Sequence, residues 1–115
     1  MSEEKQRHRP QFASTAYRIL KFFGHFGRLP GLTIGDIFRG VNAAPGTAVY
    51  QRMNCDLIGR GWDIRHPFGE ERLYFMPTTE RAIARRVCRE IRKAWNEHTN
   101  ALSAQRIEKA QRKAA

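Results

Sequence analysis

A chain of 115 residues has room for one domain and a tail, and a hydrophobic share of 41% supplies one small core, which excludes full disorder. Its 21 Lys and Arg against 11 Asp and Glu leave a formal charge of +10, which points to an anionic partner, nucleic acid first. No run approaches the ~20 apolar residues of a membrane span, the polar start MSEEKQRHRPQ is no secretory signal, and Cys55 and Cys88 are too few for a disulfide scaffold, so a reducing cytoplasm is the expected compartment.

Residues 1–13 are polar and read as a flexible basic arm, in which Lys5, Arg7, His8 and Arg9 either track phosphates or are simply solvated. Ser14 or Thr15 then caps a helix through Phe26, with Ala16, Ile19, Leu20, Phe23 and Phe26 as its apolar stripe. Gly27 and Pro30-Gly31 stop it. A short second helix follows, with Thr33 as N-cap, Asp36 completing a capping box, and Gly40 in the left-handed closing position. After a turn at Val41–Ala44, Pro45 suits the first position of a third helix running to about Ile58. Val49, Met53 and Leu57 form its buried face, and Gly59-Arg60-Gly61 ends it.

Trp62, Ile64 and His66 alternate with Asp63 and Arg65 as a half-buried strand, and Arg72–Met76 reads as its return strand across a turn at Pro67–Glu71. Thr78 or Thr79 caps a last helix that continues almost to the end, with a break possible at Thr99-Asn100. Ile83, Val87, Ile91, Ala94, Trp95, His98 and Leu102 make one stripe along it. Residues 80–115 hold ten basic and four acidic side chains, so positive charge is densest there.

The order of helix, short helix, turn, helix, hairpin and long helix resembles the MarR- and IclR-like winged helix-turn-helix transcription regulators. The resemblance rests on Leu32-Thr33-Ile34-Gly35-Asp36-Ile37, on Met53, Leu57 and Gly61 at four-residue spacing, on Ile64-Arg65, and on Glu71-Arg72 with the exit from Tyr74 to Thr78. It covers roughly residues 14–98. It implies a mainly α fold with a small β-hairpin wing (α+β): a DNA-binding domain over 14–78 and a dimerisation helix with a basic tail over 79–115.

The third helix would enter the major groove of double-stranded DNA, where base edges carry distinct donors and acceptors. With Val49, Met53 and Leu57 inside, Thr47, Tyr50, Gln51 and Asn54 face outward and Arg52 lies on the flank. A one-residue slide would bury Tyr50 and turn Val49 outward. Arg65 and Arg72 on the wing are candidate phosphate or minor-groove contacts. Glu70 and Glu71 would oppose phosphate, and Phe68 is either a wedge or a turn residue folded back. Ile83, Val87, Ile91, Trp95 and Leu102 are the candidate dimer contacts. The face with Arg81, Arg85, Arg86, Arg89, Arg92 and Lys93 either approaches phosphate or keeps the helix soluble.

No metal-ligand spacing or nucleotide-binding glycine motif occurs, and no nucleophile–base set can be assembled, so neither a cofactor nor catalysis is expected. Both cysteines read as reduced thiols rather than oxidant sensors. The expectation is a homodimeric, sequence-specific DNA binder, a transcriptional repressor. The competing readings are a structural DNA binder of the plasmid-partition or nucleoid type and a protein–protein adaptor.

Overall fold

A computed structural model describes residues 6–66 and 72–114. Helix α1 (Thr15–Phe26) starts where expected: the Ser14 hydroxyl accepts from the Tyr17 amide at 3.1 Å, satisfying a donor that the first turn leaves orphaned. Its stripe buries Ala16, Tyr17, Ile19, Leu20 and Phe23, while Phe26 is 59% exposed and lies outside the core. Gly27 closes the helix, its amide reaching the Phe23 carbonyl at 2.8 Å.

Helix α2 (Ile34–Gly40) carries the capping box in full. The Thr33 hydroxyl accepts from the Asp36 amide, and the Asp36 carboxylate accepts from the Thr33 amide, both at 3.0 Å. The closing position differs from the expectation. Asn42, at φ 53°, takes the left-handed conformation assigned above to Gly40. Gly40 serves packing instead, because the Phe22 ring occupies the space a Cβ would need.

The third helix begins four residues later than Pro45 suggested. Ala44-Pro45-Gly46-Thr47 is a turn in which the Thr47 amide reaches the Ala44 carbonyl at 3.1 Å and Gly46 sits at φ 84°. Proline followed by a positive-φ glycine is the type II turn pattern, so Pro45 closes a turn and opens no helix. Helix α3 (Val49–Arg52) then widens into a π-helical turn (Met53–Leu57) and tightens into a 3₁₀ turn (Ile58–Arg60) ending at left-handed Gly61. The wide turn brings residues four apart closer to one direction, and Val49, Met53 and Leu57 are all buried.

The segment after α3 corrects the expected α+β winged helix. Among the described residues there is no sheet and no hairpin wing, only two isolated antiparallel bridges, Arg65 with Phe75 and Leu32 with Tyr74. The alternation does bury Trp62 and Ile64, but the backbone donors of a ladder are engaged elsewhere. The Trp62 amide returns to the Leu57 carbonyl at 3.0 Å and the Met76 amide goes to the Gly27 carbonyl at 2.7 Å. The Asp63 amide goes to the Glu80 carboxylate at 2.9 Å. Between the two expected strands, among the described residues, Arg65 and Phe75 exchange a pair at 2.8 Å each, while Tyr74 exchanges its pair with Leu32 at 2.7 and 2.8 Å. The expected turn at 67–71, with Phe68, Glu70 and Glu71, lies outside the described residues.

Helix α4 (Thr78–Ala114) runs 37 residues, about 55 Å, and passes through Thr99-Asn100 without a break. The Thr99 hydroxyl donates to the Trp95 carbonyl at 2.8 Å and stays within the helix. The early turns of α4 pack on α1 and bury Ala84, Val87 and Cys88, with Ile83 and Ile91 against the same cluster. From Arg92 to Ala114 every residue is exposed. Beyond His98 about 24 Å of helix extends with no body beneath it among the described residues.

Residues 6–13 also depart from the expected flexible arm. Arg7 grips the buried Glu80 carboxylate through Nε at 2.9 Å and Nη2 at 2.7 Å, and its guanidinium lies 5.8 Å from the Trp62 ring centre. The Trp62 indole donates to the His8 carbonyl at 2.7 Å, and the His8 amide reaches the Arg60 carbonyl at 3.0 Å. Phe12 stacks on Trp95 at 5.5 Å. Lys5 lies outside the described residues.

Candidate nucleic-acid interface

Helix α3 is held from below by Val49, 2% exposed, and by Met53 and Leu57, both 0%. This settles the one-residue ambiguity of the sequence, because Tyr50 is 52% exposed. Tyr50 lines an open groove of about 780 Å³ with Thr33, Ile34 and Gly35 at the start of α2 and with Arg72. Its phenol lies against Tyr74. Burial first, and then the neighbouring Tyr50 phenol, hold the Tyr74 hydroxyl above its ordinary pKa. Tyr50 therefore stands beside Tyr74 while its ring stays accessible.

The other expected DNA-contacting residues are dispersed. Gln51 is exposed next to Tyr50, and Thr47 is half-buried on the turn before α3. Asn54 is half-buried and its amide donates to the Tyr50 carbonyl at 2.9 Å, which withdraws a donor from base reading. Arg52 is exposed but paired with Asp56 at 3.1 Å, the i,i+4 arrangement. Arg65 is held by Asp63 through two contacts, at 2.9 and 2.7 Å, and that hydrogen-bonded pair raises its pKa further. Arg65 does not line the groove. Arg72 does, and it has no ion pair among the described residues.

Two features of this face were not anticipated. Thr33, Ile34 and Gly35 form one wall of the groove, placed there by the capping box. The Thr33 backbone amide, more than any charge, holds the Asp36 carboxyl below its ordinary pKa, and Arg39 pairs with it at 2.8 Å. The second feature is a polar cleft of about 450 Å³ beside α3, where His8 and Arg60 join Arg52 and Asp56. Arg60 was legible only as a helix-ending residue, and His8 only as part of an arm.

The expected dimer residues divide in two. Val87 is 4% exposed inside its own domain, and Ile83 and Ile91 pack on the same core, so these three are corrected to intramolecular contacts. Trp95 remains 48% exposed and Leu102 41%. Trp95 also lines a shallow pocket with Pro10, Phe12, Ile91 and His98. Burial pushes the Cys88 thiol up to about 11, whereas Cys55 is exposed on the π-helical turn. Among the described residues no group of three His, Cys, Asp or Glu could hold a metal ion, and no helix is long and apolar enough to cross a membrane.

No family model, curated protein or solved structure matches the chain.

Proposed function

We propose that this protein binds double-stranded DNA through the outward side of α3 and regulates transcription as a homodimer. The observation that carries the reading is the pairing of a buried side, Val49, Met53 and Leu57, with an exposed side, Tyr50 and Gln51, in a chain of formal charge +10. A base-reading element needs a fixed backbone and free polar edges. Gln51 offers both a donor and an acceptor, the combination that pairs with adenine. Arg72, across the groove from Tyr50, supplies a cation suited to a phosphate that fixes register. The ion-paired Arg52 and Arg65 and the internally bonded Asn54 are removed from the front rank of contacts.

The dimer reading rests on Trp95 and Leu102, exposed apolar residues seven apart on α4, the first at the edge of the body against Phe12 and the second beyond it. Two copies joined there would present two α3 helices to two half-sites. Repression is the simplest outcome of occupying an operator.

The test is selection from a random DNA library with the purified protein at about 150 mM salt, which suppresses much purely electrostatic binding. A short inverted repeat is the expected result. Replacing Gln51 with Ala should then cost about 1–3 kcal/mol on that repeat and little on random DNA. Featureless enrichment that disappears with salt would refute sequence reading and leave a structural DNA binder.

A further inference from the structure

We propose that the seam between α1 and α4 is a second phosphate-binding surface for duplex DNA, directed away from α3. The two helices run antiparallel: Phe12, just before α1, stacks on Trp95, and Gly24 near its end lies beside Ala84 and Arg85. Arg85 bridges the seam by donating to the Gly24 carbonyl at 2.6 Å. On the α4 side Arg89 and Arg92 follow Arg85 at four and seven residues, on one face of the helix and exposed. On the α1 side Arg18, Lys21 and His25 are spaced three and seven residues apart and are also exposed. Arg92 acts electrostatically on Tyr17 and Lys21 on Cys88, which brings the two rows of cations to the same seam.

The pairing of charges sets this surface apart. Asp36, Asp56, Asp63, Glu80, Glu90 and Glu108 each hold an arginine that is not in the seam. Arg18, Lys21, Arg85, Arg89 and Arg92 have no ion pair among the described residues. Glu97 is the described carboxylate without an arginine, and it lies seven residues from Glu90, on that flank of α4 rather than on the seam. Like charges at i,i+3 and i,i+4 destabilise a helix, so the row at 85, 89 and 92 opposes folding until an anion covers it. A line of phosphates fits an extended cationic ridge better than a compact anion does.

The direction follows from α1. Its Thr15 and Ala16 border the cleft with Arg52 and Asp56, on the α3 side. Lys21 and His25 lie on the roughly opposite side of that helix. A molecule with α3 on one duplex thus presents the seam to another segment.

The proposal rests on the DNA-binding reading, and its test separates the two. The variant carries Lys21→Gln, Arg89→Gln and Arg92→Gln, three exposed side chains, with Gln keeping helix propensity. Binding to a random-sequence duplex is measured against salt by fluorescence anisotropy. Each lost phosphate contact lowers the salt slope by about 0.9. Raising salt from about 50 to 200 mM should therefore weaken the wild type roughly 40-fold more than the variant. In a pull-down with one duplex on beads and a second labelled duplex in solution, the wild type should bridge them and the variant should not. An unchanged slope, or bridging that survives the three substitutions, overturns the seam. A library consensus with an unchanged slope leaves α3 reading intact and removes the seam. A reduced slope without any consensus keeps the seam and removes α3 reading. No binding of the wild type to random duplex at about 50 mM salt ends both.

Discussion

Replacing Glu80 with Gln tests the least exposed ion pair of the structure. Glu80 is 5% exposed, in the first turn of α4, and its carboxylate accepts from three donors: Arg7 Nε at 2.9 Å, Arg7 Nη2 at 2.7 Å and the Asp63 amide at 2.9 Å. Breaking a buried pair from one side costs about 3–5 kcal/mol, because a charge stays behind without its partner. The Arg7 side chain is 21% exposed and regains some water, which moves the estimate to the low end. Gln keeps the shape and one acceptor, so the Asp63 amide retains a partner. The expected loss is about 3 kcal/mol, a large part of a typical 5–15 kcal/mol. With unfolding entropy of about 2 cal/mol/K per residue over the roughly 90 residues of the packed part of the chain, the midpoint should fall by roughly 15–17 °C. Circular dichroism melts and urea titrations of Glu80→Gln, Arg7→Ala and the double variant supply the measurement. Arg7→Ala should cost about as much, and the double variant clearly less than the sum, since the two groups meet. A loss under about 1 kcal/mol, or strict additivity, would refute the claim that residues 6–13 belong to the folded body.

Three further outcomes follow from the same geometry. Gly40→Ala should destabilise by about 1–3 kcal/mol in urea titration, because the Phe22 ring has to leave the space a Cβ needs; an unchanged midpoint would remove that contact. A thiol reagent at pH 8 should label the exposed Cys55 and spare Cys88 until the chain unfolds; the Cys88 pKa is raised in the fold, so its contribution to stability is complete below about pH 9 and declines toward pH 11, as the unfolded thiol ionises first. Ending the chain after residue 98 should leave the melting midpoint within about 3 °C and lower the mass in sedimentation from dimer to monomer; a midpoint loss near that of Glu80→Gln would place the distal helix in the fold.

Helices were legible here because their signals are local. The Ser14 cap, the Thr33–Asp36 box and the Val49, Met53, Leu57 spacing each depend on residues within one or two turns. The start of α3 was misread for an equally local reason. Pro45 fits both a first helical position and a turn, and Gly46 decides between them through its positive φ. The wing failed at longer range. Alternation predicted correctly that Trp62 and Ile64 face inward, but it carries no record of where the backbone amides go. A carboxylate seventeen residues ahead takes the Asp63 amide. The set expected from the sequence to contact DNA thinned in the same way. Identity and spacing place Asn54, Arg52 and Arg65 outward, while the Tyr50 carbonyl, Asp56 and Asp63 already occupy their donors.

The long stripe on α4 shows how one periodicity serves two purposes. Ile83, Val87, Ile91, Trp95 and Leu102 continue one row of apolar residues, so the sequence treats them as equals. What separates them is the length of α1. Its 12 residues span about 18 Å, and the Phe12 ring, just ahead of its first turn, reaches Trp95 and no further. Side chains of the stripe up to Ile91 are therefore committed to the monomer, Trp95 is half covered, and Leu102 has nothing beneath it among the described residues. A dimer built on this row has to form around residues 95–102. That moves the two-fold axis outward along α4 and widens the spacing between the two α3 helices by up to twice that shift. The operator half-sites should then lie further apart than in a dimer joined at Ile83 and Val87, and their spacing in a library-derived consensus reads out which part of the stripe is shared.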